Sequence, residues 1–205
     1  MARYRLMSTK GWGSVIAEAA LAMAGVDYDI EDVDMKGPRT RLLAVNPLGQ
    51  LPTLILPDGR IMTESAAIVL HLNDLKPAAG LAPAADDRER ADFLRWLVFL
   101  VSSVYPTFTW GDYPGRFVSG DAVGELQRRS IELRCERWQV MEGAASSGPW
   151  FLGRRSSAID LYLAAMTHWR PRRDWFQKHC PKLHAIALRA DELPEVRAVW
   201  KRNFG

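Results

Sequence analysis

Two short motifs in the first half of the chain carry groups that could bind an anion or an extended peptide. Glu64-Ser65 stands at the start of a segment with helical spacing of apolar residues. Because amide N–H groups at a helix N-terminus are unpaired and the helix dipole is positive there, such an end attracts a carboxylate. Leu51-Pro52 opens an apolar stretch, and proline fits the first residue of a strand because no ladder donor is lost there. Both motifs also have a plain structural interpretation, a helix cap and a trans proline.

The elements that must position these motifs form an α/β pattern. Alternating or clustered apolar residues predict strands over 4–7, 27–34, 52–56 and 61–62, and Asp58-Gly59 predicts a hairpin between the last two. Apolar residues at helical spacing predict helices over 14–24, with Ser14 as the N-cap, and over 63–75. A short helical or mobile segment is expected over 37–44. The order predicts an α/β domain.

The remainder of the chain shows only helical patterns. Long helices are predicted over 89–105, 122–145 and 157–169, and short ones over 175–179, 183–190 and 195–201. Pro106 is expected to disrupt the first long helix, and Ser157 with Asp160 is a variant of the capping box at the start of the third. Residues 77–83 are small and contain two prolines, which is typical of a linker. We therefore predict an α/β domain over 1–76, a linker over 77–83 and an all-helical domain over 84–205.

The composition excludes several classes of protein. Hydrophobic residues make up 48% of the chain and charged residues 25%, which is typical of a soluble globular protein. The formal net charge is +3. The densest basic run, residues 170–173, is interpreted as the solvated end of a helix, so we expect no nucleic-acid partner. Eight tryptophans are present, and all but Trp12 lie after residue 90, which indicates that the two domains differ in architecture.

Membrane, metal and disulfide chemistry are not indicated by the sequence. No stretch approaches the ~18 apolar residues of a membrane span, and no long apolar run follows the N-terminus. We therefore expect no signal peptide, no membrane partner and a cytoplasmic location. Cys135 and Cys180 are far apart, and the four histidines show no ligand spacing, so no metal is expected.

Three motifs, taken in order, resemble those of the cytosolic glutathione transferases. The first reads NPLGQLPTL over residues 46–54 and the second reads TESAAI over residues 63–68. The third reads GPWFLG over residues 148–153, followed by SAID over residues 157–160. Each motif is short, but their order and separation extend the resemblance over nearly the whole chain. It implies a thioredoxin-like domain with the order βαβ-α-ββα, followed by an all-α domain.

The resemblance implies that glutathione binds to the first domain. A cis bond at Leu51-Pro52 would turn the Leu51 backbone outward, so that glutathione could dock there as an added strand. The hydroxyl and N–H of Ser65 would bind the γ-glutamyl carboxylate, and Glu64 would pair with the α-amino group. Gln50 matches a family position that contacts the peptide, and Trp12 is expected to close over the thiol or to line the pocket of the second substrate.

The residue that activates the thiol is not obvious from the sequence. Alignment on Gly25 and Tyr28 places the family's Tyr position at Met7, its Ser position at Gly11 and its Cys position at Gly13. Hydroxyl groups that could take this role nearby belong to Ser14, Thr9 and Ser8. We rank Ser14 first because of its proximity to the helix N-terminus, where a thiolate is favoured, although it has the alternative interpretation of a pure N-cap.

A second-substrate pocket is expected around the aromatic residues after the first long helix, namely Tyr105, Phe108, Trp110 and Tyr113; core packing is the alternative. The function implied is a transferase that conjugates glutathione, its co-substrate, to a small apolar electrophile. Two alternatives remain open: a catalytically idle glutathione-binding stress or regulatory protein, and a glutathione-dependent peroxidase or disulfide reductase. The resemblance also implies a homodimer.

Overall fold

The computed structural model describes residues 3–205 as two compact units. The first unit comprises the described residues up to Ala84 together with Arg189–Gly205, and the second comprises Ala85–Leu188. The first unit contains the sheet, and the second is helical. This α/β unit and helical unit confirm the predicted fold class, a thioredoxin-like part and an all-α part.

The sheet of the first unit has four strands in the order β2-β1-β3-β4. They are β1 (Tyr4–Ser8), β2 (Tyr28–Asp32), β3 (Thr53–Ile55) and β4 (Ile61–Thr63). β1 and β2 are parallel, whereas β3 is antiparallel to both β1 and β4. Leu6 and Leu54 face each other in the central pair and are fully buried, so the core of this unit lies around β1 and β3.

Three helices of the first unit follow the sequence pattern closely. They are α1 (Ser14–Met23), α2 (Thr40–Val45) and α3 (Ser65–Leu75). α1 is buried nearly all round, because its small alanines allow close approach of the neighbouring elements. The predicted N-cap at Ser14 is wrong: the N-cap residue is Gly13, and Ser14 is the first residue of the helix itself.

Five α-helices lie entirely within the second unit, Ala85–Leu188. They are α4 (Arg90–Phe99), α5 (Tyr105–Asp112), α6 (Ala122–Ala144), α7 (Ala158–Met166) and α8 (Arg173–His179). A π-helical turn over Leu100–Val104 joins α4 to α5. Pro106 therefore does not end the helical path but lies in the first turn of α5, where a missing N–H costs least. Pro106 has no N–H to donate to the preceding turn, and the π-helical hydrogen-bond pattern at this point allows the helical path to continue.

The C-terminal part of the chain differs from the predicted domain division in one respect. Helix α9 (Pro181–Asp191) crosses from the second unit into the first, and α10 (Arg197–Phe204) belongs to the first unit. Val199 and Trp200 of α10 are buried. The domain limits 1–76, 77–83 and 84–205 themselves stay a prediction. Within residues 3–205, none of the helices combines the length and the apolar character needed to cross a membrane.

Candidate functional site

The sheet register brings the predicted binding motifs to one place. Met7 of β1 pairs with Thr53 of β3, and Thr53 pairs in turn with Thr63 of β4. This row marks one end of the sheet, which we call the Met7 end. Because β3 is antiparallel to both neighbours, the chain leaves β1 and β4 at the Met7 end and enters β3 there. Residues 8–14, 50–52 and 64–65 therefore meet at the Met7 end.

The segment that enters β3 is held by the side chain of Asn46. Its Nδ2 donates to the carbonyl of Gln50 at 2.9 Å and to Oγ1 of Thr53 at 3.0 Å, while the Leu48 N–H donates to Oδ1 at 3.2 Å. Asn46 is 5% exposed, so these bonds are shielded from water. The NPLGQ motif is thus a built turn, and its asparagine is a structural residue that the sequence analysis did not single out.

The Leu51–Pro52 peptide bond is cis, and Leu51 lies outside the paired part of the sheet. The ladder begins at Thr53, and Pro52 is buried whereas Leu51 is half-buried. Gln50 is exposed. Leu51 therefore lies just before the first paired residue of β3, at the Met7 end of the sheet.

Helix α3 begins at the Met7 end with Glu64 and Ser65. Glu64 is the N-cap residue with φ 65°, a left-handed conformation that costs a residue with a Cβ about 1 kcal/mol. The Glu64 side chain makes no capping hydrogen bond to this helix. Ser65 is the first helical residue and is 8% exposed. A residue with positive φ thus stands directly before the positive end of α3, and a helix N-terminus is the kind of end that attracts anions.

The hydroxyl groups proposed as thiol activators all make internal hydrogen bonds. The Oγ atoms of Ser8 and Ser14 lie 2.9 Å apart, and both residues are fully buried. The Thr9 N–H donates to Oγ of Ser14 at 3.2 Å. Thr9 Oγ1 donates to the carbonyl of Val33 at 2.6 Å. These contacts fix the β1–α1 loop, residues 9–13, from beneath.

At the N-terminus of α1, some backbone N–H groups have acceptors and others have none among residues 3–205. The N–H groups of Val15 and Ile16 donate to the carbonyls of Trp12 and Gly13. Within residues 3–205 the N–H groups of Gly13 and Ser14 have no acceptor. The N-cap residue provides no side-chain acceptor either. Trp12, in the same loop, is 39% exposed.

An ion pair between Glu18 of α1 and Arg202 of α10 connects these two helices near the β1–α1 loop. The Glu18 carboxylate of α1, whose side chain is 3% exposed, accepts from Nε and Nη2 of Arg202 at 3.0 Å each. The hydrogen bond with Glu18 raises the pKa of the Arg202 guanidinium, which therefore stays charged near pH 7. Burial raises the pKa of the neighbouring Tyr28 hydroxyl; the charge of Glu18 adds to this and that of Arg202 opposes it. The tyrosine is therefore neutral near pH 7.

Arg39 is a cation near this site that the sequence analysis missed. Its Nη1 donates to the carbonyl of Gly49 at 3.5 Å, next to the segment that enters β3. Its Nε is buried without a hydrogen-bond partner among residues 3–205. A pocket of about 210 Å³ lies beside it, lined by Met7, Asp34 and Arg39 among others. Arg39 also has a positive φ of 52°, which the sequence does not reveal.

The predicted aromatic pocket residues lie in the second unit and fall into two groups. Tyr105 and Phe108 make edge contacts with each other and with Trp169, with centroids 5.3–6.2 Å apart. Trp110 and Tyr113 come later, at the end of α5 and after it. Phe108 is 7% exposed, so it packs as core, whereas Tyr113 is 37% exposed. The pocket itself stays a prediction.

A buried arginine organises this aromatic group. Arg134 is fully buried and lies 3.7 Å from the Phe108 ring centroid. Its guanidinium donates to Oγ1 and the carbonyl of Thr107, and to the carbonyl of Arg170. Burial lowers the pKa of this guanidinium to about 10, and it remains charged at neutral pH. The arginine ties α6 to α5 and to the turn after α7, which is a structural role.

Cysteine and metal chemistry find little support at the Met7 end. Cys135 and Cys180 both lie in the second unit, and burial raises the pKa of each thiol. Among residues 3–205 there is no cluster of three or more His, Cys, Asp or Glu side chains with the arrangement of a metal site.

Comparison with known proteins places this geometry in a family. The model for the N-terminal domain of glutathione S-transferases matches residues 15–75. The uncharacterised GST-like protein YncG of Escherichia coli K12 is 39% identical over 203 residues, which cover 97% of this chain and 98% of that protein. Glutathione S-transferase GstA of Escherichia coli O157:H7 is 26% identical, covering 94% and 95% of the two chains.

Solved structures agree with the sequence relatives. A glutathione transferase homologue from Sulfitobacter with bound glutathione superposes with a TM-score of 0.87 at 25% identity, covering 98% of each chain. A sphingomonad glutathione S-transferase complexed with glutathione gives a TM-score of 0.77 at 28% identity, covering 96% and 97%. The chain belongs to the glutathione S-transferase family.

Proposed function

We propose that this chain binds glutathione at the Met7 end of the sheet and conjugates it to a small apolar electrophile. The observation that carries the proposal is the register Met7–Thr53–Thr63, which brings residues 8–14, 50–52 and 64–65 together. Each of these segments offers the group that one part of the tripeptide needs.

The peptide part of glutathione fits the segments around β3 and α3. Its γ-glutamyl carboxylate binds at the uncapped start of α3, to the hydroxyl and N–H of Ser65, and its amino group pairs with Glu64. The backbone of Leu51 pairs with the cysteinyl backbone as an added strand, and Gln50 contacts the peptide from the exposed side. The Arg39 guanidinium beside Gly49 attracts the glycyl carboxylate.

The thiolate belongs at the N-terminus of α1. The N–H groups of Gly13 and Ser14 are unpaired donors at the positive end of a ten-residue helix, a setting that lowers the pKa of a thiol. The hydroxyl of Ser14 is the alternative activator, and its burial and its bonds to Ser8 and Thr9 favour the amides. The thiol proton is released to solvent, and the thiolate electron pair forms a carbon–sulfur bond with the electrophile, while Trp12 covers the sulfur. In an addition the electrons of the broken π bond take up a proton from water, and in a substitution the leaving group departs into solvent with its bonding pair.

Replacing Ser65 tests the placement of glutathione. Ser65→Ala removes a hydrogen bond to a carboxylate, which contributes about 1.5–3 kcal/mol, so affinity is expected to fall roughly tenfold or more. The measurement is titration calorimetry with glutathione. Ser102→Ala is the matched control, because that exposed serine bonds only its own helix, at 2.8 Å to the carbonyl of Val98. Equal affinity in Ser65→Ala and wild type overturns the placement, and no binding by wild type overturns the function.

A glutathione-binding but catalytically idle protein is the second candidate. It is favoured by the internal hydrogen bonds of Ser8, Thr9 and Ser14, none of which leaves a hydroxyl directed at a ligand without rearrangement. An idle site leaves the thiol pKa of bound glutathione at the value of the free peptide, whereas a transferase lowers it. Titration of the bound thiol therefore separates the two functions.

We further propose a homodimer. Leu48, Leu94 and Val98 are apolar residues with 71%, 37% and 56% exposure, and Leu94 and Val98 are four positions apart on α4. Burying such side chains in a second copy contributes roughly 25 cal/mol per Å² of apolar area removed from water. Sedimentation velocity is expected to give twice the mass of the chain at micromolar concentration. A monomer at all accessible concentrations contradicts this proposal.

A further inference from the structure

The C-terminal helix α10 reaches the loop that precedes α1. The Gly11 N–H donates to Oδ1 of Asn203 at 3.1 Å, a contact between residues 192 positions apart in the chain. Asn203 is 4% exposed, and its Nδ2 donates to Glu18 at 3.0 Å and to the carbonyl of Val199 at 2.9 Å. A single buried amide thus joins the β1–α1 loop, the body of α1 and its own helix.

The neighbouring residue of α10 makes a second contact with the same loop region. Nη2 of Arg202 donates to Oγ of Ser8 at 3.2 Å, while the rest of its guanidinium is occupied by Glu18 and, at 3.3 Å, by Asp32. Its charge is offset by these two carboxylates. Arg202 therefore contributes to the site by holding Ser8 in place and not through its positive charge.

The shape of the loop is adapted to this contact. Gly11 has φ +74°, a conformation that favours glycine, and a Cβ placed there would lie 3.4 Å from the carbonyl oxygen of Asn203. With the Gly11 N–H turned toward Asn203, the unpaired amides that follow are those of Gly13 and Ser14. The loop conformation that presents these amides is the one that α10 holds.

We propose that Asn203 and Arg202 of α10 are positioning residues for the thiol of bound glutathione, acting through Gly11 and Ser8. This inference rests on the proposed function, because it assigns the thiolate to the amides at the start of α1. Without the Asn203 bond, the loop has an alternative conformation in which its amides no longer converge on the sulfur. The thiol pKa then rises, while binding of the peptide portion at Leu51 and Ser65 is retained.

The test compares Asn203→Leu with Asn203→Gln. The leucine removes the acceptor for Gly11, whereas the glutamine keeps a side-chain amide with both an acceptor and a donor and leaves the Glu18–Arg202 ion pair in place. Arg197→Met is the matched control, since it removes a cation of α10 that pairs only with exposed Glu192, at 3.7 Å. The readouts are the pKa of the bound glutathione thiol, from its thiolate absorbance, and the affinity for S-methylglutathione.

Asn203→Leu is expected to raise the bound thiol pKa by about one pH unit or more, with S-methylglutathione affinity within about twofold of wild type. Asn203→Gln is expected to raise the thiol pKa by less than Asn203→Leu does, and Arg197→Met is expected to keep the wild-type value. A folded Asn203→Leu protein with the wild-type thiol pKa overturns the inference, and so does a pKa that rises equally in Asn203→Gln. If wild type itself does not lower the thiol pKa, the proposed function fails instead, so the two failures are distinguishable.

Discussion

Helices α1, α3 and α7 each begin at or next to a serine, and at α7 a capping box of the chain itself fills the N-terminal end. At α7 the Asp160 carboxylate accepts from the Ser157 N–H at 2.7 Å and from the Phe151 N–H at 2.9 Å. At α1 and α3 the serine is the first helical residue, and the residue before it provides no cap. A filled helix end stabilises the fold, whereas an unfilled one is available to an anionic ligand.

The capping residue of α7 and the first residue of α3 also differ in burial. Asp160 is fully buried, and this burial raises the pKa of its carboxyl group from 3.8 to about 6 against the opposing effect of its hydrogen bonds. Ser65 retains some exposure at the Met7 end of the sheet. The two helix ends therefore differ in exposure, since Asp160 is fully enclosed and Ser65 keeps a small exposed surface.

The largest expected effect is a loss of folding stability when the capping carboxylate of α7 is removed. Asp160→Ala leaves the buried N–H groups of Ser157 and Phe151 without an acceptor, at a cost of about 1–3 kcal/mol for each. The free energy of unfolding is expected to fall by roughly 3 kcal/mol in urea denaturation, with glutathione affinity unchanged. The control is Asp74→Ala at an exposed position of α3, which should stay within about 0.5 kcal/mol of wild type. A loss of that small size in Asp160→Ala would show that the carboxylate does not close the end of α7.

A smaller effect is expected in the pH dependence of the same site. Because the folded-state pKa of Asp160 is raised, its protonated form stabilises the fold below about pH 4, and this contribution is lost as the pH rises toward about 6. The stability difference between wild type and Asp160→Asn should therefore shift against wild type over this interval and level off above it. A difference that stays constant between pH 4 and 6 contradicts the raised pKa.

Local sequence patterns predicted most of the elements and their order. The strands around Leu6 and Leu54 show apolar clustering, and the capping residues Ser157 and Asp160 are three positions apart, so both can be recognised without tertiary information. The resemblance to a known family added the candidate groups at Leu51 and Ser65. Each of these features depends only on residues that are close together in the sequence.

Features that depend on distant residues could not be predicted in this way. The hydrogen bond between Gly11 and Asn203 joins opposite ends of the chain, and the assignment of α10 to the first unit depends on such contacts. The expectation that Ser14 caps α1 was wrong because Gly13 occupies the N-cap position and Ser14 is the first helical residue. Sequence alone also does not reveal that Ser8 and Ser14 bond to each other.

The unfilled end of α1 is tested most directly by titrating the thiol of glutathione bound to wild type and to Ser14→Ala. Thiolate absorbance as a function of pH gives the pKa, with free glutathione as the reference. Amides at a helix N-terminus are expected to lower this pKa by about one pH unit or more in wild type, and Ser14→Ala, which also loses the contacts with Ser8 and Thr9, is expected to retain part of this lowering. A bound thiol in wild type that titrates as in free glutathione would contradict a thiolate site at the start of α1, and a loss of the effect only in Ser14→Ala would assign it to the hydroxyl rather than to the amides.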